Sequence, residues 1–427
     1  MNSLLKHIQQ GRFLNQVAII GSASAIAQAL PVFASPFLLR MYSAHDYGIY
    51  SMLLASSAIL LPILTLKMDA ALAQARYTIQ RASLFLLGSC FALGIAAFSA
   101  AAITLMHTTA LLPTTLEQGS YWFLTVPLLA LGNALQSMLI FISLRAKAFR
   151  DISITTIQKA VAMIVVQFIG GLMSWGVAGL VAGSLLASLA ANSRLLRHCR
   201  PMLGTRMPSR SHLRASFRRF SAFAKYTTFS ALLNALSLNI VVMAVGAMYN
   251  PGMAGQFSLA QRILAAPLKL ISDAVGQVFL QRLTALKRND IGGMKMLYRR
   301  VALGLALTGL IALTPVGIWL ESIFVIVFGE DWRLAGIIGT ILVPLVCIRF
   351  VVSPISIVNQ FHNSNFLGMM MQFGILIGTT TALLLSYLYS FELVDTIRAF
   401  VAASCTIYVL FGLLSYLRLI YVGVKSG

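Results

Sequence analysis

The chain has 427 residues, of which 59% are hydrophobic and only 10% charged, with a mean hydropathy of +0.85. Soluble domains carry roughly 25% charged residues, so a water-soluble fold is excluded. The net charge of +21 would suggest nucleic acid for a soluble chain, but in a chain this apolar it is read loop by loop against a membrane.

The apolar residues fall in long blocks, and 18 or more in a row with few charges is enough for a helix to cross about 30 Å of hydrocarbon. The blocks lack the period-two alternation of barrel strands, so each must satisfy its own backbone as a helix. The predicted fold is an all-α polytopic membrane protein of about twelve spans: 16–39, 47–66, 83–106, 120–143, 152–173, 175–193, 226–248, 254–281, 301–328, 334–358, 366–389 and 398–420. The first block follows Lys6 and Arg12 and contains Ala27-Gln28-Ala29, as a cleaved signal peptide would. It runs on to Leu39 and eleven spans follow, which suits an uncleaved first helix. Cys90, Cys199, Cys347 and Cys405 are scattered without a CxxC or metal pattern and read as free thiols.

Charge placement predicts the topology. With the N-terminus cytoplasmic, the cytoplasmic segments hold 25 of the 32 Lys and Arg, nine of them in Arg194 to Lys225. The periplasmic loops hold Arg40, Arg333 and Arg398, together with six of the eleven acids. This is the positive-inside asymmetry, and it supports an even span count with both termini inside. The basic runs therefore read as topological anchors that touch anionic lipid, with no nucleic-acid partner.

The segment 194–225 has nine basic residues, no acids and two prolines, and reads as a cytoplasmic connector between an N-terminal lobe (1–193) and a C-terminal lobe (226–427). The two halves carry a repeat. Arg40-MYSAHDYGIY-Ser51 follows the first span and Ala247-MYNPGMAGQF-Ser258 follows the seventh. Met41, Tyr42, Gly48 and Ser51 match Met248, Tyr249, Gly255 and Ser258 at one offset, 207 residues. Six spans per half is an even number, so the lobes are parallel repeats related by an axis along the membrane normal, and two six-helix bundles facing a central cleft are expected.

Six charges fall within spans: Lys159, Arg262, Lys269 and Arg349 against Asp273 and Glu321. Such groups cost several kcal/mol each unless they pair or line a wet cavity, which makes them functional candidates, and their balance of two positive charges favours anionic cargo. On span eight, at about 100° per residue, Lys269 lies about 20° to one side of Arg262 and Asp273 about 20° to the other. Lys269 and Asp273 are spaced for an intrahelical salt bridge, and whether they form one or a cargo site stays open. Arg262 is the leading anion contact because its planar fork makes bidentate bonds. Lys159 and Arg349 fit either a structural or a cargo role. Glu321 lies near the periplasmic end of its span and can simply reach the interface. Gln28, with Ser24 and Ser35, and Asn234, with Ser230 and Ser237, form polar stripes on the opening helix of each half; Gln28 and Asn234 are cavity candidates, and helix packing is the competing explanation. Eight prolines fall inside spans, where bends would suit rocking between inward-open and outward-open states.

There is no Walker A loop, HExxH or nucleophile elbow, so an ATP-driven pump or membrane enzyme is not expected, and no cofactor is predicted. The strings Ala27-QALPVFASPFLLRMYSAHDYGIYS-Met52, Phe257-SLAQRILAAPLKLI-Ser272 and Phe328-GEDWRLAG-Ile337 resemble the polysaccharide transporter (Wzx-type O-antigen flippase) family of the multidrug/oligosaccharidyl-lipid/polysaccharide (MOP) exporter superfamily. The resemblance implies two six-helix lobes around a cationic cavity, alternating access, and an undecaprenyl-pyrophosphate-linked oligosaccharide as cargo. It also implies polysaccharide polymerase and ligase machinery as partners. Related lipid II flippases usually have fourteen spans, so twelve favours the O-antigen or capsule branch. A multidrug/cation antiporter of the same superfamily should show acids in its N-terminal lobe, and spans one to six have none. A glycan polymerase or ligase should show a large periplasmic loop, whereas the longest here is 107–119.

Overall fold

The computed structural model describes residues 25–75, 77–109, 121–204, 208–286, 290–358 and 365–425, and among them every regular element is helical. The helices are α1 (Ala25–Leu39), α2 (Ala44–Thr65), α3 (Met68–Gln74), α4 (Thr78–Thr108), α5 (Val126–Arg145), α6 (Phe149–Leu172), α7 (Val177–Leu203), α8 (Arg210–Met248), α9 (Pro251–Ala285), α10 (Ile291–Phe328), α11 (Arg333–Ile355), α12 (Asn365–Leu388) and α13 (Leu393–Lys425). Eleven are long and apolar enough to cross a membrane. The first predicted span is described only as α1, since residues 16–24 lie outside the described residues, and Ser24 with them. Most of loop 107–119 and of loop 359–365 also lies outside. The chain is an all-α multi-pass membrane protein.

Two local features differ from expectation. Helix α3 stands where a plain loop was predicted; it follows Leu66 and Lys67, both in the left-handed region with φ of 42° and 52°. The basic segment 194–225, read as a connector, is mostly helical, ending α7, which carries Pro201 within it, and beginning α8. Pro127 lies inside the span Tyr121–Arg145 but in the first turn of α5, where its missing N–H costs nothing.

The chain divides into two compact units, Met1–Ala235 and Leu236–Gly427, with the boundary inside α8. In the first unit α5 is the hub: α2, α3, α4, α6 and α7 all pack on it. In the second the hub is α11, in contact with α9, α10 and α13. Counting spans from the start of each repeat, both hubs are the fourth.

Lipid is as apolar as leucine, so helices gain little by hiding apolar faces from it and must approach closely or bond across to associate. Both happen between α6 and α7. A Cβ on Gly170 would lie 2.7 Å from the Cα of Gly179, so the backbones touch where only glycine fits. Tyr42, arriving from the α1–α2 turn, donates from its hydroxyl to the carbonyl of Gln167 at 2.6 Å. Burial, reinforced by Asp46 and Tyr50, pushes its phenol up to about 12, so it stays a donor at any physiological pH. Tyr50 bonds Ser184 of α7 at 2.6 Å, and Gln167 donates to Tyr50 and to the Leu180 carbonyl.

The second unit repeats this arrangement at the offset of 207. Tyr249, the counterpart of Tyr42, donates to the carbonyl of Phe391 at 2.7 Å and meets Thr396 at 2.5 Å, fastening the α12–α13 turn. Phe257, the counterpart of Tyr50, is fully buried edge-on against Phe400 of α13. Ser43 caps α2 by accepting from the Asp46 amide, and its counterpart Asn250 caps α9 by accepting from Met253. The repeat is thus a helix start plus an aromatic fastener onto the hairpin of spans five and six.

Replacing Gly170 by Val should cost about 1–3 kcal/mol through overpacking, and Tyr42→Phe or Tyr249→Phe about 0.5–1.5 kcal/mol for a lost hydrogen bond. Thermal unfolding of the purified protein in detergent reads all three; an unchanged midpoint for Gly170→Val would contradict the α6–α7 contact.

Candidate functional site

In the first unit the site begins with Lys159 of α6. Its ammonium donates to Asn133 Oδ1 at 3.0 Å and to Gln136 Oε1, both on the hub helix α5. An ammonium has three donors, and no carboxylate lies within 4 Å of this one among the described residues. Two neutral amides orient the charge without cancelling it, which leaves a partly desolvated cation able to receive an anion. Asn133 and Gln136 could not be nominated from sequence, since they lie 26 and 23 residues away.

The next residue on α5, Ser137, donates at 2.6 Å to Asp69, which is 3% exposed on α3 and also accepts from the Ala70 amide. Asp69 was missed because the charge count placed it in the loop between spans two and three. A lone acid in the otherwise apolar run Met68-Asp69-Ala70-Ala71-Leu72 was the available signal. At the basic end of the unit, His198 faces Asp151 at 3.6 Å and Arg194 donates to Gln158, tying α6 to α7.

In the second unit, α9 carries Arg262, Lys269 and Asp273 as predicted. Arg262 is half-buried and engaged by neighbouring groups. Lys269 and Asp273 are both exposed and form no ion pair within 4 Å, so the intrahelical salt bridge is absent among the described residues. The i to i+4 spacing allows that pair, but two exposed side chains gain little by freezing into it. Arg349 of α11 is half-buried with its guanidinium carbon 5.7 Å from the Tyr408 ring centre, a cation–π contact that ties α11 to α13. Glu321 pairs with Arg333 at 3.2 Å, and Arg333 also holds Glu330 at 2.6 Å, so Glu321 reaches the end of its span. Gln28 is half-buried and has a partner of its own, while Asn234 is exposed. The serines beside them serve packing: Ser237 donates to the Gln372 carbonyl at 3.0 Å and Ser35 to its own helix at Val32.

Several residues in or beside the strings that carried the family resemblance fasten helices to one another. Besides the tyrosines, buried Gln256 donates to the Asp331 carbonyl at 2.6 Å and accepts from the Ala335 amide at 2.9 Å, clamping the turn around fully buried Trp332. A family profile described as polysaccharide biosynthesis protein matches residues 37–336. The chain belongs to the polysaccharide biosynthesis protein family. No protein of curated function matches its sequence. Among solved structures, this family member is similar to lipid II flippase MurJ in an inward closed conformation, at a TM-score of 0.70 and 13% identity over 96% of this chain and 91% of the other. It is also similar to an inward-facing multidrug resistance MATE family transporter of the MOP superfamily, at 0.56 and 10% identity, covering 96% of both chains. The eukaryotic MATE transporter AtDTX14 matches at 0.55 and 13% identity, over 96% of this chain and 97% of that one. At these identities the likeness shows a shared MOP fold.

Because Lys159 is held by amides alone, Gln136→Leu should destabilise the protein by about 1–3 kcal/mol by stripping a part-buried charge of an acceptor. Gln136→Glu should instead hold or raise the unfolding temperature. Equal midpoints for the two variants would show that the ammonium is solvated from elsewhere.

Proposed function

We propose that this family member is a flippase, a transporter rather than an enzyme, that carries undecaprenyl-pyrophosphate-linked oligosaccharide from the cytoplasmic to the periplasmic leaflet by alternating access. The observation that carries the reading is Lys159, an intramembrane cation oriented by Asn133 and Gln136 with its charge uncompensated. Cationic groups inside a membrane persist only where something offsets their cost, and a pyrophosphate arriving with each cargo molecule would do so. Arg262 and Lys269 of the second unit add positive charge, and Arg349, held against Tyr408, is the weakest of the four candidates for a direct contact. The family profile for polysaccharide biosynthesis and the fold shared with a lipid II flippase support the same class of cargo. The membrane would be the bacterial inner membrane with both termini cytoplasmic, as the basic segments favour, and the polymerase and ligase that extend surface glycans would act on the delivered product.

A second reading, a multidrug or cation antiporter, draws on Asp69. It is a buried carboxylate in the first unit, the kind of group that a cation-coupled transporter needs. Both its oxygens are already engaged, by Ser137 and the Ala70 amide, which favours a structural role.

Deleting the gene in its host should strand lipid-linked oligosaccharide in the cytoplasmic leaflet with loss of surface polysaccharide. Complementation with Lys159→Met or Arg262→Gln should fail to restore the glycan at normal protein levels, while Asp69→Asn should restore it wherever the protein accumulates. Unchanged glycan in the deletion strain, with altered resistance to cationic drugs that Asp69→Asn cannot rescue, would replace the flippase reading by the antiporter.

A further inference from the structure

In the second unit, α10, α11 and α13 line a cavity of about 660 Å³. That lies within the roughly 300–1,000 Å³ of small-ligand sites. Its wall is hydrocarbon: Ala302, Ala306 and Leu310 from α10, Val351 from α11, Leu413 from α13. Leu303, Leu310 and Leu413 are more than half exposed, so the cavity is an open groove. At one end stand Tyr298, Arg299 and Tyr416, and among the lining residues Arg299 is the only charged one.

That end is built. Tyr298 donates to the Gly412 carbonyl at 2.9 Å, pinning α10 to α13, and its ring packs on Tyr416 at 5.4 Å. The Arg299 guanidinium lies over the Tyr416 ring, 5.4 Å from its centre. This cation–π contact holds the guanidinium at the end of the groove, and among the described residues Arg299 makes no hydrogen bond or ion pair. A planar guanidinium held there with its donors free fits a phosphate.

Depth decides which phosphate. Arg299 stands just outside the apolar run 301–328, at the end that the positive-inside asymmetry assigns to the cytoplasm, where headgroups lie. Leu310 is eleven residues further along α10, about 16 Å at 1.5 Å per residue. Half of a hydrocarbon core of roughly 30 Å is about the same depth. The groove therefore runs from headgroup level to the bilayer midplane, the reach of a single acyl chain in one leaflet and too short for a long polyprenyl tail.

We propose that this groove seats one acyl chain of an anionic phospholipid of the cytoplasmic leaflet, whose phosphate is held by Arg299 on the Tyr416 ring. The site depends only on the second unit and does not rest on the cargo reading.

The test is native mass spectrometry of the full chain purified in micelles containing equal phosphatidylglycerol and phosphatidylethanolamine. The wild type should retain phosphatidylglycerol over phosphatidylethanolamine by roughly fivefold, the factor expected from one basic residue beside an anionic headgroup. Arg299→Gln should bring the ratio to parity while the neighbouring Arg300→Gln leaves it unchanged. Ala306→Trp, which fills the groove, should remove both retained lipids. Parity in the wild type, or equal loss in Arg299→Gln and Arg300→Gln, would overturn the proposal. So would displacement of phosphatidylglycerol from the wild type by equimolar polyprenyl phosphate, which would assign the groove to a cargo tail.

Discussion

Everything in this molecule follows from the absence of water in the hydrocarbon region. Backbone groups cannot be left to solvent there, so each span closes its own hydrogen bonds as a helix. Once they are closed, lipid and neighbouring helix offer an apolar side chain nearly the same environment. Association then falls to contacts that lipid cannot imitate: backbones meeting at Gly170 and Gly179, the Tyr42 hydroxyl on the Gln167 carbonyl, the Gln256 amide clamping the turn at Trp332. These polar and glycine contacts act beside buried apolar clusters, such as Met68, Leu72, Leu84, Met138 and Leu195 in the first unit.

The internal repeat shows the same economy. Over the aligned segments only a handful of residues remain alike between the halves, yet they keep one task, starting a helix with a capped turn and tying it to the hairpin of the fifth and sixth spans. The chemistry has drifted where geometry permits, from a Tyr50–Ser184 hydrogen bond to a Phe257–Phe400 ring contact. The residues that the two halves share therefore serve the scaffold. Cargo has to be argued from the charges that the scaffold leaves over.

Those charges divide by their partners. Glu321 with Arg333 and Arg349 with Tyr408 are engaged within the second unit and join neighbouring helices. Lys159 is held but not neutralised, and Lys269 and Asp273 are left apart. A surplus of positive charge whose compensation comes from outside the protein is what anionic cargo requires, and it is also what Arg299 offers at the membrane surface. In the two proposals made above, the same kind of unbalanced cation serves transport in one setting and mooring to the bilayer in the other.

Composition and block length alone determined the membrane class, the helical form of the spans and nearly all their positions, because burial in lipid acts on every residue of a span without regard to its neighbours. Periodicity determined that Arg262, Lys269 and Asp273 share a face of α9, and the offset of 207 exposed the repeat. Partnership was decided only by the tertiary structure. Lys159 meets Asn133 and Gln136 across two helices, Asp69 is buried on a short helix that looked like loop, Arg349 finds Tyr408, and Lys269 and Asp273 decline a bond their spacing allows. Helical periodicity says which side a residue faces, and only the packing of one helix on another says what it faces there.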